Sequence, residues 1–333
     1  MIQVKDKFNR PLRDLRLSVT DRCNFRCNYC MPATQQFKFM KKQELLTFEE
    51  IERFVKIIVQ LGVEKIKITG GEPLIRKDLE VLVTKIKAIP EIKDLALVTN
   101  GVQLPEKAQV LRDAGLDRIT VSLDSLDPDN FLKISGDRGS VDEVLNGIQA
   151  AKDAGFGQIK INTVIQKDIN ENAIIDIAKF GRDNGHIIRY IEFMDVGNVN
   201  KWDRSKVVTS KETLERIYAK YPLSPIDPNY RGEVAKRYAY DDSKGEIGLI
   251  SSISQAFCGD CHRGRISSDG QFYKCLFASK KFDCKVLLRK GLTDKQILRA
   301  LSGLWEFRDD RYSALRLEQK DGGDKAEMFQ IGG

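Results

Sequence analysis

Short apolar stretches alternate with amphipathic helical patterns along the first two-thirds of this 333-residue chain. Alternating apolar and polar residues predict strands, whereas apolar residues spaced three or four apart predict helices. The predicted strands are 13–19, 65–69, 94–98, 118–123, 159–165 and 187–193, and the predicted helices are 48–61, 77–89, 105–114, 141–154 and 171–184. Repeated strand–helix units predict a parallel sheet. Six units suit either an incomplete barrel or an open doubly wound sheet, and periodicity alone does not separate the two.

Local signals mark the ends of these helices. Thr47 with Glu50, and Ser140 with Glu143, have the spacing of capping boxes, in which each side chain satisfies a free backbone N–H group. Glycines stand where a left-handed residue would end a helix. These predicted C-terminal caps are Gly62, Gly115, Gly155 and Gly185.

Several predicted strands carry basic residues on their polar face. Successive side chains of a strand point to opposite sides, so Leu15 and Leu17 of the first strand oppose Arg16. The basic residues that alternate in this way are Arg16, Lys65, Lys67, Lys160 and Arg189. Because a closed eight-stranded barrel fills its interior with apolar side chains, we interpret these residues as the lining of a water-accessible cationic lumen. Separately solvated edge residues are the alternative.

The pattern changes after about residue 195. Residues 222–232 contain three prolines, which predicts a linker or an irregular loop. Beyond them the sequence predicts short strands at 233–240 and 246–252, a hairpin around Asp269 and Gly270, and a helix near 293–306. We therefore predict two domains, residues 1–225 and a smaller, loop-rich unit of residues 226–333.

Composition narrows the class of protein. Hydrophobic residues make up 41% of the chain and charged residues 31%, as in ordinary soluble proteins. Neither a leader-like N-terminal segment nor an apolar run long enough to span a bilayer is visible, so we expect a cytoplasmic protein without a membrane partner. The net charge of +7 is mild. It suits an anionic small-molecule substrate, and weak contact with nucleic acid equally well.

Six of the seven cysteines form two groups. The first group has the spacing C-x3-C-x2-C and consists of Cys23, Cys27 and Cys30. The second has the spacing C-x2-C-x13-C and consists of Cys258, Cys261 and Cys275. In a cytosolic chain, clustered cysteines indicate metal or redox chemistry before disulfides.

Three thiolates are one fewer than structural zinc sites and [4Fe–4S] ferredoxins use. A four-iron cluster held by three thiolates leaves one iron open for a small molecule. Zinc remains an alternative for both groups. The first group would need a distant fourth ligand, whereas Cys284 or His262 would complete the second.

The first cysteine group resembles the signature of the radical S-adenosylmethionine (SAM) enzymes, which has an aromatic residue before the last cysteine, here Tyr29. The second predicted strand ends in TGGEP, residues 69–73, which resembles the glycine-rich motif of that family for the methionine amine of SAM. The resemblance implies an α/β fold, an incomplete (β/α)6 barrel with a smaller C-terminal iron–sulfur domain. It also implies a [4Fe–4S] cluster on the first cysteine group, with SAM chelated to its open iron. The positions that match the SAM side are Tyr29, Gly71, Ser122 and Met194.

Further stretches resemble the branch of this family that cyclises GTP in the first step of molybdenum cofactor biosynthesis. They follow in order over nearly the whole chain: RPLRDLRLSVTDRCNFRCNYCMP, ITGGEPL, TNG, VSLDSLD, IEFMDVG, GLISSISQAFC and LWEFRDDRYS. This resemblance implies a second [4Fe–4S] cluster on Cys258, Cys261 and Cys275. It implies GTP contacts from Arg16, Lys67, Lys160, Arg263 and Arg265.

The same resemblance implies catalytic roles for Arg263 and Arg265, and for Gly332 and Gly333, a double-glycine tail that inserts into the active site. Two positions depart from the family pattern. Lys67 stands where arginine is usual and keeps the charge without the planar set of donors, and Val98 stands where threonine is frequent and lacks its side-chain hydrogen bond. The fine details of GTP affinity are therefore not carried over from the family at these two positions.

The reaction that the resemblance implies is radical. A 5′-deoxyadenosyl radical would remove the ribose 3′ hydrogen of GTP, and the product would be (8S)-3′,8-cyclo-7,8-dihydroguanosine 5′-triphosphate. The implied partners are an electron donor, a second copy of the chain in a homodimer and a downstream cyclic pyranopterin monophosphate synthase, without nucleic acid.

Two other functions stay open. One is a radical SAM enzyme that modifies a peptide or another small molecule. The other is a zinc-stabilised module that binds nucleic acid or protein, which would show a basic patch or stripe. The basic residues of this chain instead recur singly inside strands.

Overall fold

The computed structural model describes residues 3–316 and 325–332, and a twelve-stranded sheet forms its centre. The six strands of the N-terminal part are β1 Asp14–Ser18, β2 Lys65–Thr69, β3 Asp94–Thr99, β4 Arg118–Ser122, β5 Lys160–Ile165 and β6 Ile187–Glu192. All six predicted strands are confirmed. Their ends differ from the predicted ends by at most one residue, because turn glycines and helix caps flank the apolar runs closely.

The helices that connect and follow these strands are α1 Phe48–Ile58, α2 Leu79–Lys87, α3 Leu104–Asp113, α4 Pro128–Ser135, α5 Val141–Asp153, α6 Ile174–Asn184 and α7 Ser210–Tyr218. Of these helices, α4 and α7 were not predicted from the sequence. Both begin at a recognisable cap: Asp127 accepts a hydrogen bond from the Asn130 amide, and Thr209 forms a capping box with Glu212. In the described residues, helices long and apolar enough to cross a membrane are absent.

The predicted helix ends are confirmed. Thr47 with Glu50 and Ser140 with Glu143 form capping boxes at α1 and α5. The four predicted cap glycines, Gly62, Gly115, Gly155 and Gly185, all have positive φ angles. Short 3-10 helices lie at Lys42–Glu44, Val59–Leu61, Pro73–Ile75, Glu171–Ala173, Arg204–Lys206 and Cys258–Asp260.

The C-terminal part supplies the remaining strands and helices. They are β7 Leu223–Ile226, β8 Lys236–Tyr240, β9 Glu246–Ile250, β10 Arg263–Ile266, β11 Gln271–Tyr273, β12 Phe282–Asp283, α8 Cys284–Arg289, α9 Asp294–Glu306, α10 Tyr312–Leu315 and α11 Met328–Ile331. The two predicted strands, the hairpin at Gly270 and the helix near 293–306 are confirmed.

One prediction for this part is wrong. Residues 222–232 are not irregular throughout, because Leu223–Ile226 form the strand β7 and pair antiparallel with β8. Pro225 lies in this strand, opposite Tyr238. β7 is the last strand of the sheet, and an edge strand tolerates proline because one side of its backbone needs no ladder hydrogen bonds.

The strand order identifies the topology. The sheet runs β12-β11-β10-β1-β2-β3-β4-β5-β6-β9-β8-β7, so β1 to β6 follow one another without the reversal of a doubly wound fold. β10 pairs parallel with β1, and β9 pairs parallel with β6. The C-terminal part therefore extends the parallel strands at both edges. The domain boundary that the sequence predicts after residue 225 stays a prediction.

The apolar face of the sheet packs into the main core. Leu15 and Leu17 of β1 and Phe54 of α1 are fully buried in one cluster of apolar side chains. Gly264 occupies the same face in β10, between Arg263 and Arg265 on the opposite face. A Cβ atom at Gly264 would lie 2.8 Å from Cζ of Phe272 and 3.1 Å from Cδ1 of Leu12. The glycine of this Arg-Gly-Arg stretch thus lets β10 lie against the core.

This packing predicts opposite effects for two glycine substitutions. Gly264→Ala should lower the free energy of unfolding by about 1–3 kcal/mol, because the added methyl overpacks the core. Gly303→Ala is the matched control: it lies inside α9 with open space around its Cα, and should raise the free energy of unfolding by about 0.5–1 kcal/mol. Urea denaturation followed by circular dichroism measures both, and effects of the same sign would contradict the packing of β10.

Candidate active site

Backbone register aligns basic residues of neighbouring strands in one row. Arg16 of β1 lies opposite Arg265 of β10 on one side and Lys67 of β2 on the other. The row continues through Ala96 of β3 to Arg118 of β4. Residues directly opposite each other in a sheet project to the same face. We call Arg265, Arg16, Lys67 and Arg118 the cationic row.

The neighbouring row, nearer the start of the strands, has balanced charges. Arg263 lies opposite Asp14, Asp14 opposite Lys65, and Lys65 opposite Asp94. Positive and negative residues therefore alternate there. Asp94 also accepts a 2.8 Å hydrogen bond from Nε of Arg118, at the end of the cationic row. Within the described strands, the register places Arg265 and Lys67 opposite Arg16, and Ala96 opposite Lys67.

The cationic row opens into a cavity, the lumen cavity, which confirms the interpretation of the polar strand faces. Eight basic side chains line it: Arg16, Lys65, Lys67, Arg118, Lys160, Arg189, Arg263 and Arg265. Three acidic side chains line it with them: Asp14, Asp94 and Glu233. Such a surplus of positive charge suits a polyanion.

The pKa values of these groups reflect their crowding. Burial, together with the nearby Arg263 and Arg189, lowers the pKa of Arg16 to about 10. Burial and Arg189 lower the pKa of Lys160 to about 8. Burial and the same arginine hold the pKa of Lys67 well below its usual value. A bound polyanion would favour the charged form of each group.

The sequence analysis did not identify Arg118, Tyr230 and Asn162 as part of this site. Arg118 shares the polar face of its strand with Thr120 and Ser122, and Asn162 shares the polar face of its strand with Lys160. The alternation of polar and apolar residues therefore indicated both positions. Tyr230 lies in the segment predicted as a loop, and Nζ of Lys65 is 3.6 Å from its ring centroid. No sequence pattern indicated this cation–π contact.

The first cysteine group lines a second cavity, the cysteine cavity. Cys23, Cys27 and Cys30 face it together with Gly70 and Gly71. Burial raises the pKa of Cys23 to about 12 and raises the pKa of Cys27 and Cys30, whose thiolates would also repel that of Cys23. Three thiolates can share this space only with a positively charged partner.

The two glycines after β2 hold the cysteine loop by close backbone packing. The amide of Gly71 donates to the carbonyl oxygen of Thr20, and the next amide, of Glu72, donates to that of Arg22 at 2.7 Å. A Cβ atom at Gly71 would collide with the carbonyl oxygen of Arg22, directly before Cys23. The Gly-Gly pair therefore fixes the position of the cysteine loop as well as leaving backbone open to a ligand.

Buried carboxylates support both ends of the cysteine cavity. Glu72 accepts hydrogen bonds from Thr99 Oγ1 and the Asn100 amide, and burial raises its pKa to about 7. Asp124 accepts a 2.7 Å hydrogen bond from the hydroxyl of Tyr29, and burial raises its pKa to about 6. Tyr29 thus has a fixed orientation.

All four residues expected on the SAM side line the cysteine cavity: Tyr29, Gly71, Ser122 and Met194. The lumen cavity and the cysteine cavity share a wall formed by Asn162, Ile191, Met194 and Leu276. Within the described residues, the buried Oδ1 of Asn162 and Nε of Arg189 have no hydrogen-bond partner. Unsatisfied buried polar atoms on a cavity wall indicate a place for a ligand.

The second cysteine group lies beside the basic residues of β10. Nη2 of Arg263 donates a 3.4 Å hydrogen bond to Sγ of Cys261. Although burial opposes it, the charges of Arg263 and Arg308 lower the pKa of Cys261 to about 5. Burial raises the pKa of Cys275 to about 11. The second cysteine group thus offers three thiols, and its lowered pKa favours the thiolate form of Cys261. Such a set of sulfur ligands suits an iron–sulfur cluster.

The structure gives no support to mononuclear zinc at either group. Across residues 3–316 and 325–332, no three His, Cys, Asp or Glu side chains are close enough together to hold one metal ion. The thiolates of an iron–sulfur cluster bind different irons, so they need not converge on one point. Cys284, the fourth thiol of the zinc alternative, is fully buried in the main apolar core, as expected of a packed thiol. His262 is buried with Nδ1 3.5 Å from Asp14.

The end of the described chain reaches this site. Nη1 of Arg265 donates to the carbonyl oxygens of Ile331, at 3.2 Å, and Gly332. Gly332 has a φ of 70°, and a Cβ there would collide with the side chain of Thr69. Gly333 lies outside the described residues. Arg265 therefore holds the tail through Nη1.

Two family models and curated relatives match most of the chain. Residues 17–181 match the Radical SAM superfamily, and residues 186–314 match the family Molybdenum Cofactor Synthesis C. A protein of Xanthomonas campestris pv. campestris named GTP 3′,8-cyclase is 48% identical over 332 residues, which cover 99% of this chain and 97% of that protein. A Staphylococcus aureus protein of the same name is 49% identical over 338 residues, and the alignment covers 99% of each chain.

Solved structures show the same fold. Streptococcus suis SuiB bound to S-adenosylmethionine aligns with a TM-score of 0.62 and 18% identity, over 93% of this chain and 69% of that one. The structure described as native anSMEcpe with bound AdoMet aligns with a TM-score of 0.56 and 14% identity, over 95% and 93% of the two chains. At this identity the likeness concerns the fold alone.

Proposed function

We propose that this chain, which belongs to the GTP 3′,8-cyclase family of the radical SAM superfamily, converts GTP into (8S)-3′,8-cyclo-7,8-dihydroguanosine 5′-triphosphate. As a radical SAM enzyme with a role in molybdenum cofactor biosynthesis, it uses SAM and an iron–sulfur cluster. One observation carries the proposal for GTP. A strongly cationic cavity and the cavity of the first cysteine group share a wall, so a triphosphate bound in one places its nucleoside next to the other.

The triphosphate would bind to the lumen cavity. Arg16, Lys67 and Lys160 face it from three strands, where burial and neighbouring positive charges lower their pKa values. Arginine binds phosphate oxygens in bidentate fashion, whereas lysine acts as a point charge. Arg263 and Arg265 would contact GTP from β10, on the side of the second cysteine group. The ribose would then lie at the shared wall, beside Asn162.

The first cysteine group would hold the [4Fe–4S] cluster that supplies the electron for SAM cleavage. On this side Gly71 would leave space for the methionine part of SAM, and Tyr29 would be held in place by Asp124. Ser122 and Met194 would line the rest of the SAM site. Met194 belongs to both cavities, so it would separate SAM from GTP while leaving the reacting atoms adjacent.

The proposed reaction moves one hydrogen atom. It leaves ribose C3′ for the 5′ carbon of the 5′-deoxyadenosyl radical, C3′ then bonds to C8 of guanine, and one electron and one proton complete the product. The chain would contribute orientation and shielding from water. The C-terminal Gly332, held by Arg265 next to Thr69, would help to close the site, and Gly333 would extend this tail.

Further parts of the proposal rest on the family resemblance. Cys258, Cys261 and Cys275 would hold a second [4Fe–4S] cluster that meets the guanine base. The chain would act as a homodimer with domains of residues 1–225 and 226–333. It would receive electrons from a reductant and pass its product to a cyclic pyranopterin monophosphate synthase.

Modification of a peptide is less well supported than cyclisation of GTP. A peptide substrate does not call for eight basic side chains around one cavity, whereas a triphosphate does. The alternative of a zinc-stabilised binding module fails, because the curated relatives over nearly the full chain are enzymes.

The test of the function is coupling between SAM cleavage and GTP loss. Anaerobically reconstituted protein is mixed with SAM and a strong reductant, with and without GTP, and 5′-deoxyadenosine and GTP are quantified. We expect 5′-deoxyadenosine to form in step with GTP loss, and only with GTP present. SAM cleavage that leaves GTP untouched would assign a different substrate. Lys67→Met with Lys160→Met is the preferred loss-of-binding variant, because Arg263 and Arg265 also contact Cys261 and the tail.

GTP binding should also be accompanied by proton uptake above about pH 8. Burial and nearby cations lower the pKa of free Lys160 to about 8, so it is largely neutral above that pH, and the triphosphate would restore its charge. The pKa of Lys67 is lowered as well, chiefly by burial. Titration calorimetry in two buffers of different ionisation enthalpy measures the uptake, which should shrink toward pH 7.

The matched control is the double variant Lys67→Arg with Lys160→Arg. Arginine stays charged in this range, so the variant should bind GTP without the lysine-dependent uptake. Equal uptake by the variant and the unchanged protein would contradict the assignment of these lysines to the triphosphate.

A further inference from the structure

Three charged side chains, two from the start of the chain and one from near its end, are buried together beside the second cysteine group. Asp6 and Arg10 belong to the segment before β1, and Arg308 follows α9. Oδ2 of Asp6 accepts hydrogen bonds from Nε of Arg10 at 2.6 Å and from Nη1 of Arg308 at 3.0 Å. The side chains of all three are at most 2% exposed. We call Asp6, Arg10 and Arg308 the buried triad.

The buried triad reaches all three cysteine positions of this group. Nη1 of Arg10 donates to the carbonyl oxygen of Cys258 at 2.7 Å. Nη1 of Arg308 donates to the carbonyl oxygen of Cys261 at 2.8 Å, and its Nη2 donates to Sγ of the same cysteine at 3.4 Å. Nε of Arg308 donates to the carbonyl oxygen of Lys274, directly before Cys275, at 2.9 Å.

The charges of the buried triad do not cancel. Two guanidinium groups face one carboxylate, and burying an unpaired charge is costly. The sulfur of Cys261 lies within hydrogen-bond distance of Arg308 and supplies the missing negative partner when it is a thiolate. If Arg308 only connected chain segments, it would not need a hydrogen-bond donor directed at this sulfur.

The plane of Arg308 is also fixed. Its guanidinium carbon lies 4.5 Å from the ring centroid of Trp305, which is fully buried and donates through Nε1 to the carbonyl oxygen of Arg10 at 3.1 Å. Arg308 therefore has one orientation, in which its nitrogens address Asp6, Cys261 and Lys274 at once.

We propose that the buried triad positions Cys258, Cys261 and Cys275 for the second iron–sulfur cluster, and that the hydrogen bond from Arg308 to Cys261 sets the reduction potential of that cluster. This inference rests on the second cluster of the proposed function. Asp6, Arg10 and Arg308 are positioning residues, because they act on the cluster through its cysteines. Hydrogen bonds to cluster sulfurs and nearby charge are two of the determinants of such potentials.

The experiment isolates the second cluster. The full chain with Cys23, Cys27 and Cys30 all changed to Ala is reconstituted with iron and sulfide. Arg308→Gln is then introduced into this background. We expect iron loss to a chelator to become about tenfold faster or more, and the midpoint potential, followed by electron paramagnetic resonance, to become more negative because a positive charge and a donor to sulfur are removed.

Arg53→Gln is the matched control. Arg53 also donates to one carboxylate, of Asp294, and to two carbonyl oxygens, of Leu288 and Leu292, and none of these hydrogen bonds goes to a cysteine. It should leave the rate of iron loss and the potential unchanged. Arg308→Lys keeps the charge but lacks the planar set of donors, so iron loss should still accelerate while the potential shifts less than in Arg308→Gln.

The outcomes separate this inference from the proposed function. If the cysteine-to-alanine background with Arg308 intact binds no iron, the second cluster is absent and the inference falls with it. If that background binds iron and Arg308→Gln behaves like Arg53→Gln, the inference alone is overturned. Circular dichroism checks folding, and if Arg308→Gln does not fold, Arg308→Lys decides by the same two readouts.

Discussion

Like charges repel strongly inside a buried cavity, and the cationic row of Arg265, Arg16, Lys67 and Arg118 is the constraint on which the rest of the site depends. Arg118 donates a hydrogen bond to the carboxylate of Asp94 within the sheet. The other charges are held together by the backbone ladder of β10, β1 and β2 and by the apolar packing of the opposite face. Folding therefore works against charge repulsion at this place. A ligand with several negative charges removes the repulsion, and the site is in this sense prepared for a polyphosphate.

The remaining features place two cysteine groups next to this proposed polyphosphate site. Close backbone packing of Gly71 against Arg22 fixes the first cysteine loop at one side of the shared wall. Arg263 connects the lumen cavity to Cys261 on the other side, and Arg265 connects it to the C-terminal tail. The two arginines thus have structural partners in addition to their expected substrate contacts. A substrate that fills the lumen cavity would lie between both cysteine groups.

Much of this arrangement could be predicted from the sequence, because local chemistry determines it. Alternation within the strands identified Arg16, Lys65 and Lys67 as lumen residues, and capping boxes with cap glycines identified the helix ends. The contributions of distant segments could not be predicted in the same way. The pairing of β10 with β1 and of β9 with β6 depends on register between segments some 60 to 250 residues apart. The contacts of Tyr230 with Lys65, and of Arg308 with Cys261, leave no periodic signal in the chain.

The proposed function requires that the lumen cavity holds the triphosphate so that ribose C3′ meets the SAM site across the shared wall. Its most direct test is hydrogen transfer from GTP that carries deuterium only at the ribose 3′ position. The protein is incubated anaerobically with this GTP, SAM and a reductant, and the 5′-deoxyadenosine is analysed by mass spectrometry. We predict that it gains one deuterium per molecule and that deuterium at other ribose positions is not transferred. Unlabelled 5′-deoxyadenosine, formed while the labelled GTP is consumed, would contradict the account.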